Sequence, residues 1–339
     1  MVFSIVAVAF ASRLISQLSV VQRLEQDLES YYLLRSGAEY ARSVIQNDEF
    51  PLYDSCKEGW CHDPSRFRDQ KLGEGTFTIA HRFKEGLLSS PQTRFGLLDE
   101  SGKLNLNTAK AKDLERLFDQ TLPYRKRDPD EEDNQARELA DAILDWRDED
   151  SDRRDFGAEK FDYLNKKDSY ETKDGFFDSV DELLLVKGMT PKIYRAVEPY
   201  LTVYGSGAVN VQTAPEAVLA ALGISSLGAS AIIGYRNGPD GIAGTEDDQA
   251  FASVSFFYTE FSFFASNEDL TRVARLMRKH RLSVSSEAFS FTIGAKPRED
   301  GYLWRAFCVL DHDGRILTWR ENAGIDLETL LSPRNAGLV

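Results

Sequence analysis

Two short stretches of this chain hold carboxylates at spacings that suit a hard cation. Asp148, Asp150 and Asp152 alternate and Glu159 follows, so oxygens fall at the first, third, fifth and twelfth positions of an EF-hand-like loop. The sixth position, where such a loop turns sharply on glycine, is Arg153. Four carboxylates this close repel one another unless a cation or nearby guanidinium neutralises them. Two readings therefore stand: bound calcium, or a solvated network of ion pairs with Arg147, Arg153 and Arg154. The second stretch, Asn237 to Asp248, combines Asp240, Glu246, Asp247 and Asp248 with Gly238, Gly241 and Gly244. Those glycines let the backbone fold tightly enough for oxygens to converge, which favours calcium over a mobile acidic loop. The contiguous run Asp128-Pro129-Asp130-Glu131-Glu132-Asp133 has no such spacing and reads as an exposed loop without an ion.

Cys56 and Cys61 enclose four residues, a spacing that closes a short disulfide loop in an oxidising compartment and leaves Cys308 single. A reduced pair, or half a metal site with His62, is the alternative. Zinc needs two further ligands, and His81, His280 and His312 show no ligand-like spacing. No Gly-x-Ser-x-Gly elbow, phosphate loop or His-Glu-x-x-His appears, so we expect no catalytic residue and no small-molecule substrate. A net charge of −14 argues against a broad phosphate-binding face and hence against nucleic acid as a partner.

The elements that must position these loops are legible as a duplication. Leu104-Asn105-Leu106-Asn107-Thr108-Ala109 is echoed by Val209-Asn210-Val211-Gln212-Thr213-Ala214. Ala140 to Asp148 is echoed by Ala229 to Asn237, and Phe177-Asp178-Ser179-Val180 by Phe251-Ala252-Ser253-Val254. Three matched motifs in one order make a repeated helical unit, and each acidic loop follows the second motif of its copy. Thr213 to Glu216 and Ser179 to Glu182 read as capping boxes, and Thr108 as the cap of a helix beginning at Ala109.

Apolar residues at Leu14, Leu18, Val21, Leu24, Leu28, Tyr31, Ala38, Ala41 and Ile45 form a helical stripe. A helix from Val2 to Gln46 would be about 68 Å long, too long to be buried in one domain. Its apolar start, Val2 to Ala11, is too short by itself for a bilayer, which takes about twenty residues. A membrane-anchored stalk whose lower half packs on a sheet is the expected arrangement, with Leu14, Leu18, Val21 and Leu28 facing a partner. Strand-like runs occur at Thr76 to Phe83 and Thr93 to Leu98, and again at Ala288 to Ala295, Trp304 to Leu310 and Arg315 to Arg320. Asp311 to Gly314 reads as a hairpin turn. One α+β architecture follows, a sheet fed from both ends with the helical duplication inserted between its strands.

The Leu104 to Ala109 motif, Asp145-Trp146-Arg147-Asp148, Gly157-Ala158-Glu159 and Ser179 to Thr190 together resemble general secretion pathway protein K, the large minor pseudopilin of bacterial type II secretion systems. The resemblance implies a pilin-like fold, in which a long N-terminal helix lies on an antiparallel sheet, with an inserted α-helical domain of two units resembling sterile alpha motifs or helix-hairpin-helix modules. It also implies calcium in the inserted domain, other minor pseudopilins as partners at a pseudopilus tip, and a periplasmic body held at the bacterial inner membrane by the N-terminal segment. The start departs from the family pattern of basic leader, peptidase site and full apolar segment; only the end of such a segment is present. On this reading residues 1–46 form the helix, 47–100 the first strands, 101–206 and 207–286 the two helical units, 287–331 the closing strands and 332–339 a disordered tail. The Asn-Thr-Ala starts also resemble helix-hairpin-helix DNA receptors, but Gly188-Met189-Thr190 and Gly223-Ile224-Ser225 each lack the second glycine of a phosphate-binding turn. A periplasmic nucleic-acid-binding module and a minor pilin of a related type IV filament are the competing functions.

Overall fold

A computed structural model describes residues 2–47, 50, 52–84, 92–122, 134–164, 170–298 and 302–324. The acidic run Asp128 to Asp133 and the tail 332–339 lie outside these described residues. Helix α1 spans Val2–Gln46. Its second half presents Leu34, Ala38, Ala41 and Ile45, three or four apart, as a buried stripe, whereas Phe10, Leu14, Leu18 and Leu24 are exposed. No helix among the described residues is long and apolar enough to cross a membrane.

The stripe lies on an antiparallel sheet made of β1 Gln70–Leu72, β2 Gly75–Phe83, β3 Gln92–Arg94 and β4 Leu98–Asp99, completed late in the chain. Between β1 and the disulfide loop sits the short α2, Pro64–Phe67, capped by Asp63. The chain leaves the sheet at Asp99 for the inserted domain. Its first unit comprises β5 Leu104–Asn105, α3 Ala111–Thr121, α4 Gln135–Arg147, α5 Lys160–Leu164, α6 Pro191–Val197 and β6 Leu201–Thr202. The second comprises β7 Val209–Asn210, α7 Glu216–Ala221, α8 Ser226–Arg236, α9 Val254–Phe261, α10 Asn267–Arg278 and β8 Leu282–Ser283. Strands β9 Ala288–Lys296, β10 Trp304–Asp311 and β11 Ile316–Glu321 then complete the sheet in the order β1-β2-β9-β10-β11, with β3 on β2 and β4 on β9.

Alternation in the strands builds the face under α1. Phe77 and Ile79 of β2, Phe289, Phe291 and Ile293 of β9, and Ala306, Cys308 and Leu310 of β10 belong to one core with Leu33, Leu34, Ala38 and Ala41. Gly37 brings the helix close: a Cβ there would stand 2.6 Å from Ile293 Cγ2. The β10–β11 turn ties to the same helix, since Arg42 Nε donates to the Gly314 carbonyl at 2.6 Å.

Each inserted unit is closed by a parallel two-strand pair, β5 with β6 and β7 with β8, and the units share a continuous apolar core from Leu104 to Val284. The domain is fastened to the sheet through buried Asp99 at the end of β4. Its Oδ2 accepts from Thr213 Oγ1 at 2.6 Å and Asn210 Nδ2 at 2.9 Å, and its Oδ1 from the Ser101 amide at 2.7 Å. This corrects the expected Thr213 cap: the hydroxyl goes to Asp99, and α7 starts two residues later with Pro215 at its N-cap. The Thr108 cap is corrected too. Its helix begins at Ala111 behind Lys110, and the Thr108 hydroxyl instead packs against Gly207, at the joint between the units. The Ser179 box forms, with Glu182 Oε1 accepting from the Ser179 amide at 3.1 Å, on a 3₁₀ turn over Val180–Leu185. Cys56 is bonded to Cys61, with Cα atoms 5.0 Å apart, and Cys308 is free and buried. The disulfide loop joins both parts of the molecule: Trp60 O accepts from Leu97 N at 2.8 Å, and Asp54 N donates to Val284 O at 2.9 Å.

Candidate functional site

The two units hold their loops with the same hardware. In the first, Asn105 Oδ1 accepts from the Asn107 amide, and the Asn107 side chain clamps Phe177 by donating to its carbonyl at 3.0 Å and accepting from its amide at 2.8 Å. In the second, Asn210 Oδ1 accepts from the Gln212 amide, and the Gln212 side chain clamps Phe251 with two 3.0 Å bonds. Arg147 at the end of α4 donates to the carbonyls of Leu106 and Ala109, and Arg236 at the end of α8 to those of Val211 and Ala214. Each acidic loop therefore starts from an anchored arginine and ends at a clamped phenylalanine. Burial, helped by Arg154, brings the Arg147 guanidinium down to about 10.

Within the first loop, Asp145, Asp148 and Glu159 place one oxygen each so that all lie within 4.8 Å of one another. Asp145 and Asp148 are three apart at the end of α4, so both side chains leave the helix on one face. A single guanidinium serves them: Arg154 Nη1 stands 2.6 Å from Asp145 Oδ1 and 2.6 Å from Asp148 Oδ2. Asp148 Oδ1 and Glu159 Oε1 are buried without a hydrogen-bond partner. Gly157 completes the cradle, since a Cβ there would lie 1.8 Å from Asp145 Oδ2. Burial, reinforced by Asp145, Asp148 and Asp174, pushes the Glu159 carboxyl up to about 7. Burial also raises Asp145 despite Arg154. Three carboxylates, two of them with orphaned buried oxygens, fit an oxygen-seeking divalent cation.

Asp150 and Asp152 are exposed and stand apart from this group, Asp150 Oδ1 accepting from the Asp152 amide at 2.9 Å. Asp145 was missed from sequence because counting along the loop started at Asp148. Its signal was the helical spacing back from Asp148, at the close of the Ala140 to Asp148 motif. Arg147 gives its hydrogen bonds to carbonyls rather than to the acids, and Arg153 lies 3.8 Å from Asp162.

The second loop spends its carboxylates on its own backbone. Asp247 Oδ2 accepts from the Asp240 amide at 3.0 Å, Asp240 Oδ1 from Ile242 at 2.7 Å and Asp248 Oδ2 from Gly244 at 2.7 Å. The Thr245 hydroxyl, and then the Asp240 amide, hold Asp247 below the usual carboxylate range, while burial raises Asp248. Glu246 is exposed. Among the described residues these four acids form no convergent group. The position matching Asp145 is Gly234, so the second copy lacks the helical carboxylate that assembles the first.

The other candidate surface is the uncovered part of α1. Leu14, Leu18, Val21 and Leu28 are 43%, 61%, 60% and 56% exposed, while Ala41 in the second half is fully buried. Burying a Leu or Val side chain contributes about 1.5–3 kcal/mol, so this face forgoes several kcal/mol while it stays in water.

Residues 102–206 match a family described as type II secretion system (T2SS), protein K. The chain is similar in fold to a solved chain from the GspK–GspI–GspJ complex of the enterotoxigenic Escherichia coli type 2 secretion system. The TM-score is 0.59 at 16% identity, over 92% of this chain and 100% of that one. Comparison with curated protein sequences gives no match.

Proposed function

We infer that this chain, which residues 102–206 assign to the type II secretion protein K family, is a minor pseudopilin at the tip of a pseudopilus. The observation that carries this reading is the division of α1: from Leu33 on it packs on the chain's own sheet, and the part before that exposes Leu14, Leu18, Val21 and Leu28. A helix that is amphipathic beyond the end of its own domain supplies a seam for other helices. The solved chain of like fold belongs to a complex with GspI and GspJ, and equivalent minor pseudopilins are the partners we propose here. In this arrangement the N-terminal end of α1 points to the inner membrane, the body stands in the periplasm, and the inserted domain caps the filament above the helical seam. The chain serves assembly and protein secretion by occupying a position, and we assign it no catalytic step.

A cation belongs to the same proposal. Asp145, Asp148 and Glu159 would hold calcium, which supplies the positive charge that Arg154 alone does not and ties the end of α4 to the Gly157–Glu159 segment. The loop of Asp240, Glu246, Asp247 and Asp248 is a second proposed calcium position, one that would need its carboxylates to exchange backbone donors for the ion. The test of the pseudopilin reading is co-purification of the chain with its tip partners from membranes. Aspartate at both Leu18 and Leu28 should abolish it while the isolated fold keeps its melting temperature; unchanged recovery would remove the helix seam from the proposal.

A further inference from the structure

The chain carries a net charge of −14, yet the seam between its two inserted units concentrates cations. Asp113, buried in the first turn of α3, faces three guanidiniums. Arg281 Nη1 lies 2.6 Å from Oδ2, and Arg272 Nη2 and Arg116 Nη1 lie 3.6 Å and 3.8 Å from Oδ1. Part of that carboxylate is already committed, because Oδ2 also accepts from the Lys110 amide at 3.3 Å. Two ammonium groups join the cluster: Lys279 stands beside Lys110 and is the largest cause lowering its pKa, with burial and Arg281 adding. Burial and then Arg116 lower Arg272, and Arg275 and Arg281 act in the same direction. One carboxylate thus answers for a group of like charges that repel one another.

The hydrogen bonds divide these cations by task. Arg272 Nε is held by the Leu222 carbonyl and Arg281 by Asp113, whereas Arg116 Nη1 is buried with no hydrogen-bond partner. Gly223 keeps the site open. It sits at φ 85°, and a Cβ there would meet Arg272 Nε at 2.8 Å and Arg116 Nη1 at 3.2 Å. Around this partly buried centre Lys110, Arg275 and Lys279 are exposed. Planar guanidiniums in the centre with ammonium groups at the rim suit carboxylates, which accept paired N–H donors.

We propose that this seam, formed by Lys110, Arg116, Arg272, Arg275, Lys279 and Arg281, docks a carboxylate-rich segment of another protein. The site is separate from the acidic loop and from the α1 face, and it stands whether or not the chain is a pseudopilin. A short acidic segment matches a cluster this local. A nucleic-acid duplex would extend past it onto a surface whose excess of acids repels phosphates. Docking here would bridge α3 of the first unit and α10 of the second, so an occupied seam would also lock the two units together.

The experiment is fluorescence anisotropy of the full chain with a labelled hexaglutamate peptide at low salt, with inorganic phosphate and a short DNA duplex as competitors. The variant combines Arg116→Gln, Arg275→Gln and Lys279→Gln, which spares the structural bonds of Arg272 and Arg281. A control removes three exposed cations elsewhere, Lys71, Arg298 and Arg315. The expected result is saturable binding that falls at least about tenfold in the variant, holds in the control and weakens with salt. Unchanged melting temperatures in both would show that the loss is local. No peptide binding, equal losses in variant and control, or displacement by duplex at lower concentration than by unlabelled peptide would each overturn the proposal.

Discussion

Arg147 and Arg236 stand in matching places, 89 residues apart in the numbering of the chain, each donating to two carbonyls of the strand turn that opens its own unit. The pair explains why the second motif of the duplication must carry arginine just before its last residue. The side chain replaces the water that those turn carbonyls would otherwise need. Methionine at either position keeps the apolar stem and removes the donors, leaving two acceptors unsatisfied. We expect Arg236→Met, the more deeply buried, to cost about 2–4 kcal/mol in chemical denaturation, and Arg147→Met somewhat less.

The acidic cluster gives a pH signature. The folded-state pKa of Glu159 is raised from 4.5 to about 7, so the folded chain holds this proton more tightly than the unfolded one. Without a cation, its contribution to stability therefore falls as pH rises from about 4.5 to about 7 and returns on acidification. Buried His81 runs the other way, its pKa lowered from 6.5 to about 3, so its contribution is present above 6.5 and lost as pH falls. The two windows overlap, and the difference between wild type and Glu159→Gln isolates the carboxyl. The variant's stability advantage in chelator should grow from pH 4.5 to pH 7 and then level off; a pH-independent difference would contradict the raised pKa.

Calcium should raise the melting temperature of the wild-type chain, and more at pH 8 than at pH 5.5, because ion and proton compete for Glu159. Asp145→Asn should remove most of that increase, whereas Asp150→Asn and Asp152→Asn should leave it in place. Equal loss in all three variants would return the ligands to the loop spacing.

The buried and exposed parts of α1 should respond differently to the same substitution. Leu34→Asp and Ala41→Asp place a charge in the core against β9 and β10 and should prevent folding or lower the melting temperature severely. Leu18→Asp and Leu28→Asp put the charge in water and should change it little. Circular dichroism melts of the isolated chain check both.

Much of this fold was legible because its periodicities are strong. The runs at Thr76, Ala288, Trp304 and Arg315 became strands, and the repeated Asn-x-Asn/Gln-Thr-Ala motifs became the two unit starts, since their side chains bond to nearby backbone. Helix caps were misread at Thr108 and Thr213 because both hydroxyls are taken by contacts that sequence spacing does not encode. Thr213 meets Asp99, which is more than a hundred residues away. The convergence of Asp145 with Glu159 was hidden for the same reason: it depends on a turn at Gly157, while the alternation beyond Asp148 only places Asp150 and Asp152 along exposed chain. The basic seam around Asp113 was invisible to a reading by net charge, because Arg116 on α3 and Arg281 just beyond α10 come together only through Asp113 in the folded chain.

The most direct measurement is site-specific photo-crosslinking in membranes, with the probe placed at Leu18 and, as a control, at Leu227, which is 75% exposed on the inserted domain. The pseudopilin reading predicts a crosslink from position 18 to another minor pseudopilin and none to that protein from position 227. Absence of that crosslink at 18, or the same product from both positions, would contradict it.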